Sequence, residues 1–170
     1  MRIVAGTFAG RDLTSPNDDR VRPTSESVRV RWMELVASDL SGARVLDLFA
    51  GTGAVGLEAL SRGARSVDFV ETRPSSLHAL KANVAALRVR DRTRVFKKDA
   101  LPFAAAIAPE AYDLAFADPP YESRMLDRLI EGWLVSRFAR VLSVEHSAGH
   151  ALPPGGTCVR LGDSALTTYR

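Results

Sequence analysis

The stretch Val45-Leu-Asp-Leu-Phe-Ala-Gly-Thr-Gly-Ala-Val-Gly56 decides how this chain is read. Val45, Leu46, Leu48 and Phe49 form a short apolar run broken by one carboxylate, Asp47. Gly51, Gly53 and Gly56 follow, and Leu57, Ala59 and Leu60 continue at helical spacing. Strand, glycine turn and helix in that order open a nucleotide site in a doubly wound α/β sheet. Glycine lets the backbone turn tightly and approach a ligand, with helix-terminal N–H groups facing it. Two further features add weight. Glu71, twenty positions after Gly51, closes the mostly apolar stretch 67–70, and residues 114–117 run into Asp118-Pro119-Pro120-Tyr121. A carboxylate at the end of a second strand suits a bidentate grip on two ribose hydroxyls.

Working outward, the periodicity predicts a first central strand over 44–49, its crossover helix over 54–62 and a second strand over 66–71. Pro74 suits the first turn of the next helix, where Leu77, Leu80, Val84 and Leu87 share one apolar face. A third strand is expected over 94–97, a short helix over 100–107, a fourth strand over 112–117, a helix over 125–135 and a fifth strand over 141–145. Residues 159–161 and 165–169 are weaker strand candidates across the Gly162-Asp163 turn. Toward the amino terminus, residues 1–23 fall outside the α/β pattern. Two short strands around Gly6 to Gly10 predict a β-hairpin extension, followed by a domain over 24–170. Thr24 or Ser25 can cap the next helix, in which Val28, Trp32, Leu35 and Val36 form one stripe for the core. Alternating strands and helices with right-handed crossovers give a mostly parallel, doubly wound sheet, with ligands at the carboxyl ends of its strands. The glycine loop, Glu71, Asp99 and Asp118 all fall at such ends.

The chain has 170 residues, 46% apolar and 25% charged, which fits one globular domain. No apolar run reaches the length of a membrane span and no signal-peptide pattern opens the sequence, so a cytoplasmic location is expected. Cys158 is the single cysteine, which excludes an intrachain disulfide and disfavours a zinc cluster. His78, His146 and His150 match no metal-ligand spacing. The net charge is only +3, but arginine outnumbers lysine 20 to 3. Arginine suits phosphate forks and base stacking, and a GC-rich genome produces the same bias.

Gly51, Gly53, Gly56 and Glu71 also satisfy the dinucleotide fingerprint. Asp47, however, would face a diphosphate with the wrong sign, whereas it can pair with a cation such as the ammonium of a methionine moiety. Asp-Pro-Pro-Tyr has no role in hydride transfer either, so S-adenosylmethionine ranks above NAD. The tetrapeptide has its own chemistry. The lone pair of an exocyclic amine on an aromatic base is delocalised into the ring and is a poor nucleophile. Two acceptors on its N–H bonds, the Asp118 carboxylate and the Pro119 carbonyl, would draw the nitrogen toward tetrahedral geometry and take up the developing positive charge. Pro119 and Pro120 stiffen the turn, and Tyr121 would stack on the extruded base. A sulfonium methyl donor is already activated, so this transfer calls for no metal, and positioning carries most of the rate.

Asp47-Leu-Phe-Ala-Gly-Thr-Gly resembles the first motif of class I S-adenosylmethionine-dependent methyltransferases, and Asp118-Pro-Pro-Tyr the catalytic tetrapeptide of the branch that methylates planar exocyclic amines. Met1-Arg-Ile-Val-Ala-Gly, Gly10-Arg-Asp-Leu and Arg22-Pro-Thr…Val28-Arg narrow the resemblance to bacterial 16S ribosomal RNA guanine-N2 methyltransferases, the D family of small-subunit enzymes, which modify guanine 966. It covers about the first 121 residues well and the rest loosely; Val30 departs from it, standing where the family carries an acidic residue. The resemblance implies S-adenosylmethionine as cofactor, held by Asp47, Phe49, Gly51, Gly53 and Glu71, with Asp99 and Ala100 at the adenine edge. It also implies 16S RNA as partner, within the small subunit or an assembly intermediate, met by Arg2, Arg11, Arg22, Thr24 and Arg29. Blander readings stand beside these: Asp99 as a helix N-cap, Glu71 as a solvated strand end, and a charge-balanced amino-terminal surface. The denser basic run Arg88, Arg90, Arg92, Arg94, Lys97 and Lys98 reads as solvated surface ahead of an RNA-binding face. Glu145, inside an apolar strand, reads as a structural partner for an arginine. Adenine N6 in DNA and a protein glutamine amide remain alternative substrates. A cofactor-binding module without catalysis is the more remote alternative.

Overall fold

A computed structural model describes residues 1–16, 24–120 and 124–170. Five strands lie parallel in its sheet: β1 (Arg44–Leu48), β2 (Ser66–Val70), β3 (Thr93–Phe96), β4 (Tyr112–Ala117) and β5 (Ala139–Ser147). β6 (Thr157–Leu161) and β7 (Ser164–Tyr169) form an antiparallel hairpin, and β7 pairs with β5. The order is β3-β2-β1-β4-β5-β7-β6. Successive connections therefore leave β1 toward one edge through β2 and β3, then return to its other side at β4. That reversal opens a crevice above the carboxyl ends of β1 and β4, where an open α/β sheet binds its ligands.

The helices are α1 (Glu26–Leu35), α2 (Ala37–Leu40), α3 (Ala54–Ser61), α4 (Pro74–Ala86), α5 (Ala100–Ala105) and α6 (Met125–Ser136). Because side chains alternate across a strand, β1 feeds two cores. Val45 packs with Trp32, Leu57, Phe69, Leu80 and Phe116 under α1, α3 and α4. Leu46 and Leu48 pack with Val70, Ala115, Leu129 and Trp133 under α5 and α6. Both faces of the sheet are covered, as its near-continuous apolar strands require.

Several boundaries differ from the sequence reading for reasons the packing supplies. β5 extends through His146 and Ser147 because β7 pairs with it on the side away from β4. The weak candidates near the carboxyl terminus are full strands, joined at Gly162 with φ +67°. In α1 the stripe is rotated: Trp32, Met33 and Val36 are buried with Arg29, while Val28 and Leu35 only flank the core. Trp32 fixes that rotation, its Nε1 donating to Ser143 Oγ at 2.7 Å and its ring meeting Phe116 edge-on at 5.2 Å. At the amino terminus, residues 1–3 and 11–13 are joined through one antiparallel bridge, Arg2 to Asp12. Ile3 and Leu13 enter the same core as α1 and α3.

That segment is held by buried polar side chains. Glu58 on α3 is fully buried and accepts from Val4 N at 2.8 Å, Ala5 N at 3.0 Å and Arg62 Nε at 2.8 Å. Ser61 Oγ donates to Ala5 O and accepts from Phe8 N. Asn83 on α4 accepts from Thr14 N, and its amide donates to Thr14 O and Thr52 O. Among the described residues no helix is long and apolar enough to cross a membrane.

Candidate active site

The glycine loop owes its shape to three residues with positive φ: Phe49 at 62°, Gly51 at 55° and Gly53 at 79°. A left-handed conformation costs a bulky residue about 1–2 kcal/mol, so Phe49 is a strained position at the mouth of the crevice. Gly53 is required twice over, since a Cβ there would also lie 2.3 Å from Leu80 Cδ1. Gly53 is the N-cap of α3 and brings no side chain to cap it. Asp47 does so from the strand, Oδ2 accepting from Gly56 N at 2.9 Å. Burial pushes the Asp47 carboxyl up to about 7, with the nearby Glu71 charge adding to the rise.

Glu71, next after β2, is buried and spreads its carboxylate over the loop opposite. Oε2 accepts from Gly51 N at 2.8 Å, and Oε1 accepts from Thr72 N and Arg73 N, each at 2.8 Å. It is therefore no solvated strand end: it ties the glycine loop to the end of β2.

Two adjoining cavities fill the crevice and meet at Phe49. One, of about 70 Å³, is bounded by Thr24, Asp47, Gly51 and Asp118. The other, of about 250 Å³, is bounded by Glu71, Asp99, Ala100 and Pro120. Asp99 also N-caps α5, accepting from Leu101 N at 3.2 Å. A larger cavity of about 520 Å³ lies between α5 and α6, where Leu101, Leu129 and Phe138 line it together with Asp99, Arg128 and Ser136.

Asp118 stands one residue beyond β4, whose last residue pairs with Leu48 on one side and Val144 on the other. The same register puts Asp118 and Glu145 on one face of adjacent strands. Thr24 Oγ1 donates to Asp118 Oδ2 at 2.7 Å. Asp118 keeps some surface open to the crevice, yet its depth among protein atoms pushes the carboxyl up to about 8. The charges of Glu145 and Asp47 and a hydrogen bond between the Glu145 and Asp118 side chains push the same way, and the Thr24 hydroxyl opposes them.

The structure thus brings Asp47, Phe49, Gly51, Glu71, Asp99, Ala100, Pro120 and Asp118 to one crevice, with Thr24 beside Asp118, while Gly53 packs inward against Leu80. Buried Pro119 follows Asp118 in the chain. Tyr121 and Arg22 lie outside the described residues. Arg29 is a correction: it is fully buried and donates to Thr24 O at 3.0 Å and Arg2 O at 2.6 Å, so it offers nothing to RNA. Burial lowers its affinity for its proton, which Glu58 and Glu26 counter. Arg2 and Arg11 are exposed, Arg11 donating to Ala86 O. Sequence reasoning missed Glu58 and Asn83, whose only signal was a polar residue on the inner face of an apolar helix.

A glycine loop after β1, a carboxylate after β2 and an Asp-Pro-Pro turn after β4 on a seven-stranded sheet with an antiparallel β6–β7 pair define a class I S-adenosylmethionine-dependent methyltransferase, and this chain is one. It belongs to the family described as Conserved hypothetical protein 95, which matches residues 1–160. A curated relative from Escherichia coli (strain K12), named "Ribosomal RNA small subunit methyltransferase D", is 33% identical over 158 residues, covering 90% of this chain and 78% of that one. A solved hypothetical protein of Thermus thermophilus, TTHA0928, superposes with a TM-score of 0.84 at 30% identity, over 99% of this chain and 98% of that one. An RNA methyltransferase from Salinibacter ruber, solved in complex with S-adenosyl-L-homocysteine, shares the fold at 15% identity, with a TM-score of 0.68 over 87% of this chain and 92% of that one.

Proposed function

We propose that this enzyme transfers a methyl group from S-adenosylmethionine to the exocyclic N2 amine of a guanine in 16S ribosomal RNA, the guanine at position 966 of the small subunit. One observation carries the reading: Asp118, opening an Asp-Pro-Pro turn, lines the same cavity as the glycine loop and Asp47. An acceptor for an amine thus adjoins the place where a methyl donor would lie. The E. coli relative named for the small-subunit RNA supports the choice of substrate.

The residues fit the cofactor. Asp47 is a buried carboxylate whose pKa has risen to about 7 because, among the described residues, no cation offsets its desolvation. The ammonium of the methionine moiety would supply one. Glu71, pre-oriented by three backbone N–H donors, would take the ribose hydroxyls, with Asp99 and Ala100 at the adenine edge. Gly51 leaves open space where the loop faces the cavity, and Phe49 would separate the two ends of the ligand. Bound there, the cofactor supplies an electrophilic methyl group on a sulfonium.

The remaining chemistry belongs to the chain. The Asp118 carboxylate and the Pro119 carbonyl accept the two N–H bonds of the guanine amine and restore density to its nitrogen. As the C–N bond forms, the C–S electron pair stays on sulfur, and the surplus amine proton passes to Asp118. A carboxylate with a pKa near 8 is well matched to receiving it at neutral pH. Arg2 and Arg11, both exposed on the amino-terminal segment, would meet RNA phosphates. The test is Asp118→Ala assayed on small subunits that lack the modification. Turnover should vanish while cofactor affinity stays within about threefold of wild type; retained turnover would overturn the reading.

A further inference from the structure

Thr24 ends the segment that precedes α1, where the sequence offered two candidates for the cap. Ser25 is the cap: its Oγ accepts from Val28 N at 3.2 Å. The Thr24 hydroxyl is left for another purpose, and it donates to Asp118 Oδ2 at 2.7 Å across 94 positions of sequence.

Thr24 itself is held from behind. The fully buried Arg29 donates one guanidinium nitrogen to Thr24 O and another to Arg2 O, pinning the backbone of both segments. A charged guanidinium carried into the core is an expensive support for a surface loop, since a buried charge must be compensated by its hydrogen bonds. The expense makes sense where the residue it fixes touches the reacting centre.

We propose that Thr24 is a positioning residue for methyl transfer, its hydroxyl holding the Asp118 carboxylate by one oxygen and fixing its orientation toward the substrate amine. The inference rests on the reading of Asp118 as the acceptor of that amine. A hydroxyl donor favours the ionised form of the carboxylate it touches. Charged groups around Asp118 among the described residues are Glu145 on β5, Asp47 on β1 and, lining the same cavity, Arg73 and Met1 with its α-amino group. Both carboxylates favour protonation of Asp118, so Thr24 is the described group that opposes it.

The experiment measures methyl transfer to small subunits lacking the modification, as a function of pH, for wild type and Thr24→Val, Thr24→Ser, Glu145→Gln and Asp118→Ala. Thr24→Val should lower kcat by roughly 10- to 100-fold, the range for losing a hydrogen bond to a charged group. KM for the particle and affinity for S-adenosylhomocysteine should change less than about twofold, because the hydroxyl is committed to Asp118 Oδ2. The acid limb of the kcat profile should move to higher pH, and Thr24→Ser should restore both rate and limb. Glu145→Gln removes a neighbouring negative charge and should move the limb to lower pH, a second readout that survives if Thr24→Val folds poorly. Three results would overturn the proposal: an unmoved limb in Thr24→Val, a loss lodged in KM, or a Thr24→Ser enzyme no better than the valine variant. Full activity in Asp118→Ala would instead refute the role of Asp118, and the inference would fall with it.

Discussion

Replacing Glu71 by glutamine tests the cofactor half of the site with almost no change of shape. Glu71 accepts three backbone N–H bonds of 2.8 Å, two on Oε1 from Thr72 and Arg73 and one on Oε2 from Gly51. Glutamine has one carbonyl oxygen and one amide nitrogen, so only one side of that arrangement survives. The favourable rotamer keeps the oxygen toward Thr72 and Arg73 and sets the amide against the Gly51 N–H, donor facing donor. One hydrogen bond to a charged group is lost, worth about 1.5–3 kcal/mol. The peptide released is that of Gly51, in the loop beneath the proposed ligand, and the same carboxylate is the proposed partner of the ribose hydroxyls. Calorimetric titration with S-adenosylhomocysteine should therefore show Kd weakened roughly 10- to 150-fold, each tenfold being about 1.4 kcal/mol. A variant that folds normally and binds within about threefold of wild type would refute the reasoning.

Three other outcomes follow from the same geometry. Gly53→Ala combines a φ of 79° with a Cβ 2.3 Å from Leu80 Cδ1, and thermal unfolding should show it destabilised by about 2–4 kcal/mol. Glu58→Ala removes the acceptor of Val4 N, Ala5 N and Arg62 Nε; stability should fall by about 2–4 kcal/mol, with faster hydrogen exchange at Val4 and Ala5. Asp47 and Asp118 hold their protons more tightly folded, at about 7 and about 8, than unfolded, near pH 4. Their contribution to stability is full below that lower value and is lost as pH rises through 7 and 8. Asp118→Asn, fixed in a neutral form, should accordingly melt above wild type at pH 9 and show no such gain at pH 4.

What could be read in the sequence was what local pattern encodes. Apolar runs ending at the glycine loop, Glu71 and Asp118 located three strand ends, and β4 was legible because residues 114–117 are apolar and run into Asp118-Pro119-Pro120. The glycine loop was legible because positive φ and close packing both demand glycine at residue 53. Other roles depended on partners that no local pattern names. Arg29 reads as a surface arginine among arginines, yet its partner Arg2 lies 27 positions away and only the folded amino-terminal segment brings it within reach. Glu58 and Asn83 bind residues 53 to 69 positions distant. Thr24 was grouped with the RNA contacts on resemblance, whereas the structure turns its hydroxyl to Asp118. Such long-range polar pairs are set by tertiary packing and escape periodicity and propensity.

The proposed methyl acceptor is one nitrogen on one base. The most direct measurement supplies labelled S-adenosylmethionine and this enzyme to small subunits from cells lacking it, and maps the product by mass spectrometry. The account predicts a single added methyl on the N2 amine of guanine 966 in 16S RNA, and none with Asp118→Ala. A methyl elsewhere on that RNA, or label appearing only on DNA or a protein amide, would contradict it.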